Sequence, residues 1–164
     1  MTSSAPNHSS PMDIALAEAV AAARRDEVPV GAVLVMDGQI VAADGNRTRQ
    51  LLDPTAHAEM LVIREAAQTL GQERLTGADL YVTLEPCAMC AAAISHARIR
   101  RVYFGATDPK MGAVINGPHF FDQPTCHHAP EVYDGIAASQ AEALLKTFFA
   151  GKREQAEAKQ LIKD

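Results

Sequence analysis

Positive charge is in short supply in this chain. Its 164 residues include 15 lysines and arginines against 20 aspartates and glutamates, a formal net charge of −5. Such a balance gives no bulk attraction for nucleic acid, so an RNA or DNA partner would have to be held by local basic clusters. Cysteine is scarce too. Cys87, Cys90 and Cys126 cannot close a disulfide set, and the first two are too near in sequence to staple distant segments. A reducing compartment, the cytoplasm, fits that usage. No apolar run reaches the ~18–20 residues of a membrane span, because Glu18 and the Asp37-Gly38 pair interrupt the longest candidates. The expectation is a soluble chain with no membrane partner. Residues 1–11 have neither the basic residues nor the apolar stretch of a secretory signal. Their Ser, Pro, Thr and Asn content predicts a disordered N-terminal tail.

The remaining sequence reads as one globular domain. Hydrophobic residues at 48% and charged residues at 21% rule out wholesale disorder, and the length suffices to bury a core without crosslinks. Ser10-Pro11-Met12-Asp13 predicts a capped helix start, and Met12, Leu16, Ala19, Val20 and Ala23 give it an apolar face to about Arg25. Val28 to Val35 is a β-branched run, Asp37-Gly38 a hairpin turn, and Gln39 to Ala43 a second, antiparallel strand. Asp53-Pro54-Thr55 reads as the start of a helix over Ala56 to Leu70, closed by Gly71. Leu80–Leu84, a helix from Pro86 to about His96, and Arg101–Phe104 make a strand–helix–strand unit with parallel strands. Gly105 to Asp134 reads as loop, and a helix with Leu144, Leu145, Phe148 and Phe149 on its apolar face follows Gly135.

Chemistry concentrates at the starts of two of these helices. His57 opens one; Cys87 and Cys90 open the other and, three residues apart, share a face. Helix N-termini favour thiolate over thiol. Two thiolates and an imidazole make a tetrahedral zinc site with one position open, the pattern of a catalytic rather than a closed structural centre. A carboxylate near such a site takes a proton from its water at neutral pH, and Glu59 is the candidate base. Residues two apart on an ideal helix point about 200° apart, so Glu59 shares the site only if His57 sits at an irregular helix entry. Otherwise Glu59 merely favours the helix N-terminus.

Together, His57-Ala58-Glu59 and Pro86-Cys87-Ala88-Met89-Cys90 match the H-x-E…P-C-x-x-C signature of zinc nucleobase deaminases. Asp26 to Val33, Pro54 to Glu59, Tyr81 to Cys87 and Gly105 to Gly112 closely resemble the bacterial tRNA-specific adenosine deaminases, within the cytidine/deoxycytidylate deaminase superfamily. The resemblance implies a cytidine-deaminase-like α/β fold: a three-layer α/β/α sandwich whose central mixed sheet has about five strands. It places a deaminase domain over 12–155 and a C-terminal helical tail over 156–164. It implies a homodimer, one Zn2+ per subunit, and conversion of the wobble adenosine of an arginine tRNA anticodon stem-loop to inosine.

By the same resemblance Glu59 is catalytic and shuttles protons, His57, Cys87 and Cys90 bind the metal, and Asn46 hydrogen-bonds the base. Val30 and Ala58 belong to the pocket, and Asp108 lies at the ribose-phosphate backbone beside Lys110. Lys152 and Arg153, on the last helix, face the RNA. Arg98, Arg100 and Arg101 form another basic cluster, and Arg47 and Arg49 lie near the inferred pocket. Cys126-His127-His128 with His119 lacks the spacing of a second zinc site. Two other readings compete. One is a deaminase of free bases or nucleosides such as guanine or cytosine. The other is a non-enzymatic zinc module with Glu59 or Cys126 as fourth ligand.

Overall fold

The computed structural model describes residues 9–163. Most of the tail expected over 1–11, residues 1–8, lies outside the described residues, as does residue 164 of the C-terminal tail. Ser10 and Pro11, counted with the tail by composition, belong to a helix entry. Helix α1 (Pro11–Arg24) opens with a reciprocal cap: the Asp13 N–H donates to Ser10 Oγ (3.2 Å) and the Ser10 N–H donates to Asp13 Oδ2 (3.1 Å). Proline at the first turn loses nothing, since its missing N–H would have no intrahelical partner.

Strands β1 (Gly31–Met36) and β2 (Gln39–Gly45) form the expected hairpin. Asp37 and Gly38 both take positive φ, 51° and 73°, as a two-residue turn between right-twisted strands requires. Val28 to Val30, expected within β1, stay outside it. Pro29 has no N–H for a ladder, and the Val30 N–H turns back onto the Val28 carbonyl (2.8 Å). Val30 therefore stands at the mouth of the strand.

Helix α2 (Ala58–Leu70), strand β3 (Asp79–Leu84), helix α3 (Ala88–His96) and strand β4 (Arg101–Ala106) follow. β3 and β4 run parallel, with Tyr81 opposite Tyr103 and Val82 opposite Phe104. The segment read as loop holds a 3-10 turn at Phe120–Asp122 and an edge strand, β5 (Glu131–Tyr133), parallel to β4. Three residues between Pro130 and Asp134-Gly135 are too few to display alternation. Helix α4 (Ala138–Leu161) runs unbroken past residue 155, so the boundary drawn there from sequence is not a break in the helix.

The sheet order is β2-β1-β3-β4-β5. Ala32, Leu34, Leu80, Val82 and Phe104 pack toward α2 and α3, whereas Val33, Val35 and Tyr81 pack toward α1. With α4 beside α1 against β4 and β3, the result is the three-layer α/β/α sandwich. Ala15, Ala19 and Ala22 are fully buried. This small-residue stripe lets the α1 backbone rest almost directly on β1. Strand direction then defines one functional edge. β3 and β4 end there, antiparallel β1 begins there, and β2, which pairs Gly45 with Gly31, ends there. Segments 28–30, 46–48, 85–87 and 107–111 converge at that edge, where α/β sheets commonly place their ligands.

A Cβ at Gly31 would stand 1.9 Å from the Ala15 carbonyl oxygen, whereas one at Gly38 meets nothing within 4 Å. Gly31→Ala should therefore cost about 1–3 kcal/mol or more through overpacking. Gly38→Ala should cost about 1 kcal/mol through its positive φ alone. Urea unfolding midpoints of the two variants check the order.

Candidate metal centre

His57 and Cys87 are the N-cap residues of α2 and α3, with φ and ψ of −71° and 152°, and −73° and 175°. His57 thus lies just outside its helix, at the irregular entry that a partnership with Glu59 demands. Asp53, expected to start this helix, instead closes a turn upstream: Asp53 Oδ1 accepts from the Thr55 N–H (2.8 Å) and hydroxyl (2.7 Å). His57 Nδ1 is 3.7 Å from Cys87 Sγ and 3.5 Å from Cys90 Sγ, and the three ligand atoms lie within 4.8 Å of one another. A tetrahedral zinc with bonds of about 2.1 Å to nitrogen and 2.3 Å to sulfur has N–S edges of about 3.6 Å. The donor set fits that ion.

Among the described residues, this is the one such cluster. Cys126, weighed as a fourth ligand, sits 3.5 Å from Ser95 Oγ and donates to the His128 carbonyl (3.2 Å). Three ligands of this type leave a coordination position open.

The electrostatics also call for a cation. Cys87 is lowered to about 4, chiefly by its hydrogen bond with Cys90, against burial and with help from His57. Cys90 is pushed up by that same hydrogen bond, by burial and by Glu59. His57 is raised by Cys87, against burial. Glu59 is only 4% exposed, and burial raises its carboxyl although the Cys90 thiol donates to its Oε2 (3.0 Å). So many crowded acids cannot all ionise unaided. A divalent ion supplies the charge that lets both sulfurs do so.

A cavity of about 800 Å³ opens over this centre, lined by His57, Glu59 and Cys87. The structure brings the sequence candidates Val30, Asn46, Asp108, Lys110, Lys152 and Arg153 to its walls. Ala58 is the exception. It is fully buried, and its N–H donates to Asn46 Oδ1 (2.8 Å). The Asn46 carbonyl oxygen is thereby engaged, and its NH2 is the donor left for the cavity. The apolar face read on α4 is divided: Leu145 and Phe149 line the cavity, while Leu144 and Phe148 face Leu16 and Val20 of α1. The basic cluster at 98–101 lies at the opposite end of β4, where Arg100 pairs with Asp79 (2.9 Å) and Arg101 with Glu131 (2.8 Å).

The family model for the cytidine and deoxycytidylate deaminase zinc-binding region matches residues 5–106. The chain belongs to this deaminase family. A curated relative from Agrobacterium fabrum, named tRNA-specific adenosine deaminase, is 66% identical over 142 residues, 87% of this chain and 93% of the relative. One of the same name from Bacillus subtilis is 43% identical, covering 90% of this chain and 91% of the relative. A solved structure, from studies of A-to-I editing by tRNA:A34 deaminases at the wobble position of transfer RNA, superposes with a TM-score of 0.82 at 67% identity. It covers 82% of this chain and 98% of that one. A guanine deaminase structure from Bacillus subtilis superposes with a TM-score of 0.60 at 30% identity, over 90% of this chain and 94% of that one.

One residue of this deaminase that sequence reasoning passed over is Glu85, directly before the Pro86-Cys87 pair and 2% exposed. Its Oε2 accepts from the N–H groups of Val114 (3.1 Å), Ile115 (3.1 Å) and Asn116 (3.0 Å). Its Oε1 accepts from the Asp108 N–H (3.0 Å) and Asn116 Nδ2 (2.7 Å). Burial pushes its carboxyl up, but these bonds outweigh burial and hold it below the usual range. Glu85 thereby shapes the segment that presents Asp108 and Lys110 to the cavity. A charged residue ending a buried strand was the available signal. Glu85→Gln places an amide NH2 against N–H groups, so it should cost about 1–3 kcal/mol. Amide exchange at residues 114–116 should accelerate, which hydrogen–deuterium exchange measures.

Proposed function

We propose that this chain hydrolyses adenosine to inosine at the wobble position of a tRNA anticodon, with zinc held by His57, Cys87 and Cys90. One observation carries the reading: the buried Glu59 carboxylate, with His57 and Cys87 of the donor triad, lines a cavity whose walls include Lys110, Lys152 and Arg153. The names of the relatives support it. The finer reading is an arginine tRNA, one zinc per subunit, a homodimer, and action in the cytoplasm, within a domain spanning 12–155.

Zinc bound at the triad supplies Lewis acidity, lowering the pKa of a water to about 7. Glu59 accepts a proton from the water that adds to C6 of adenine. It passes that proton to N1, then takes the second proton of the same water from the hydroxyl formed at C6 and gives it to the departing ammonia, so adenosine plus water yields inosine plus ammonia. Burial suits it to this exchange, because a carboxyl raised by desolvation is a stronger base than a solvated one. With zinc held, Cys90 would stand as a thiolate with no proton to donate to Glu59 Oε2, so the carboxylate would be free to meet substrate. The Asn46 NH2 orients the base and Val30 packs beside it. Asp108 Oδ1 accepts from the N–H groups of Lys110 (3.1 Å) and Met111 (3.0 Å), which leaves Oδ2 for the ribose. An anticodon base is already unpaired, so extruding it costs less than the few kcal/mol of opening a duplex.

The likeness to a guanine deaminase keeps a second reading in view, a free-base deaminase built on the same centre. Incubation with an arginine tRNA anticodon stem-loop and, separately, with adenosine, guanine and cytosine separates the two. Inosine should form from the stem-loop alone; ammonia from a free base would favour the alternative. Glu59→Gln should lower turnover by about 10²–10⁴-fold or more with zinc retained. Cys87→Ser and Cys90→Ser should lose the metal, by elemental analysis.

A further inference from the structure

Lys152, on the cavity side of α4, is not a free cation. Its ammonium pairs with Asp26, and the same carboxylate also takes the guanidinium of Arg49. A single acid at the end of α1 thus stands between two bases from distant parts of the chain. Lys110 and Arg153, the other cations lining the cavity, have no ion-pair partner among the described residues.

The backbone holds Asp26 there at some expense. Its φ is +67°, in the left-handed region that strains residues other than glycine, asparagine and aspartate tolerating it best. The turn sends the next acid inward. Glu27 is 1% exposed, and its carboxylate accepts from the N–H groups of Arg49 (3.0 Å) and Gln50 (2.8 Å) and from the Thr48 hydroxyl (3.3 Å). Asp26 points outward, its side chain 54% exposed, to meet the Arg49 side chain and Lys152. Two consecutive acids therefore divide the work: Glu27 fixes the loop that brings Thr48 to the cavity, and Asp26 neutralises the cations above it.

We propose that Asp26 holds the place of an RNA backbone phosphate. In the free protein its carboxylate satisfies Lys152 and Arg49, and a phosphate of the RNA entering the cavity displaces it. The proposal rests on the reading of α4 as an RNA-facing element. Both pairs are solvent-exposed and screened by water and salt, so the exchange is inexpensive. Its effect is selective. With Asp26 in place, the trio carries one net positive charge rather than two, which weakens general attraction for polyanions. An RNA seated in the cavity delivers its phosphate at short range and takes over both cations.

Asp26→Asn is a clean test, because asparagine keeps the left-handed preference and removes only the charge. Fluorescence anisotropy of zinc-loaded protein with an anticodon stem-loop, over a salt series, reads the outcome. Asp26→Asn should tighten binding about two- to fivefold at low salt and steepen the log–log salt dependence by about 0.7. Lys152→Gln should weaken binding, and in that background the gain from Asp26→Asn should shrink. Unchanged or weaker binding by Asp26→Asn overturns the proposal, as does a gain that persists undiminished without Lys152. If Lys152→Gln binds like the parent protein, the RNA-facing reading of α4 falls first. If Lys152→Gln binds weakly while Asp26→Asn is neutral, only the role of Asp26 falls.

Discussion

Two helix N-termini abut at one sheet edge, and each is headed by a side chain of the candidate metal centre where a capping residue would ordinarily stand. N-cap positions favour Ser, Thr, Asp and Asn because their side chains accept from the first exposed N–H groups. Neither His57 nor Cys87 makes such a bond. The helices forgo about 0.5–2 kcal/mol apiece, and the site gains two positive dipole ends aimed at sulfurs that must ionise. Part of the loss at α2 is recovered from elsewhere. Asn46, at the end of β2, accepts from the Ala58 N–H (2.8 Å) and so caps the helix from another element. The residue that presents a donor to the cavity is thus locked by the helix that carries His57 and Glu59.

Buried carboxylates show how one chain sustains opposite acid chemistry. Glu85 and Glu59 are 2% and 4% exposed, yet their carboxyls move in opposite directions. Glu85 is ringed by amide donors, which favour the charged form, and serves as a fixed anion around which a loop folds. Glu59 has only the Cys90 thiol and its own backbone N–H for donors, so desolvation prevails and its proton is retained more readily. Deeper desolvation and a poorer supply of donors together separate the acid suited to proton transfer from the structural one.

Most of the site's chemistry was legible because it depends on residue type at short spacing. Cys87 and Cys90 lie one helical turn apart, and His57 and Glu59 share one helix entry. The sandwich was legible for a similar reason, since the hairpin turn at Asp37-Gly38 and the strand–helix–strand unit are local patterns. What escaped depends on long-range partners or on very short elements. β5 is three residues long. Val30 leaves its strand through a turn at Pro29, which a run of β-branched residues conceals. Ala58, assigned to the pocket by resemblance, has a buried side chain, and its N–H meets the cavity-lining Asn46 instead. Glu85 and Glu27 gave little signal, because their partners lie more than 20 residues away in sequence.

Charge illustrates the same limit with a functional consequence. The most conspicuous basic run, Arg98 to Arg101, sits at the wrong end of β4, and two of its members are paired across the sheet edge with Asp79 and Glu131. The cations at the cavity and its margin arrive singly or in pairs from separate elements: Arg49 after β2, Lys110 after β4, Lys152 and Arg153 from α4. None of these forms a long run, so a chain of net charge −5 shows no linear sign of an anion-binding surface. A cavity needs a local field within roughly a Debye length, about 8–10 Å at physiological salt, rather than a basic molecule. Convergence at one sheet edge provides that field, and the acids that surround it, Asp26 first among them, decide how much of it an approaching phosphate encounters.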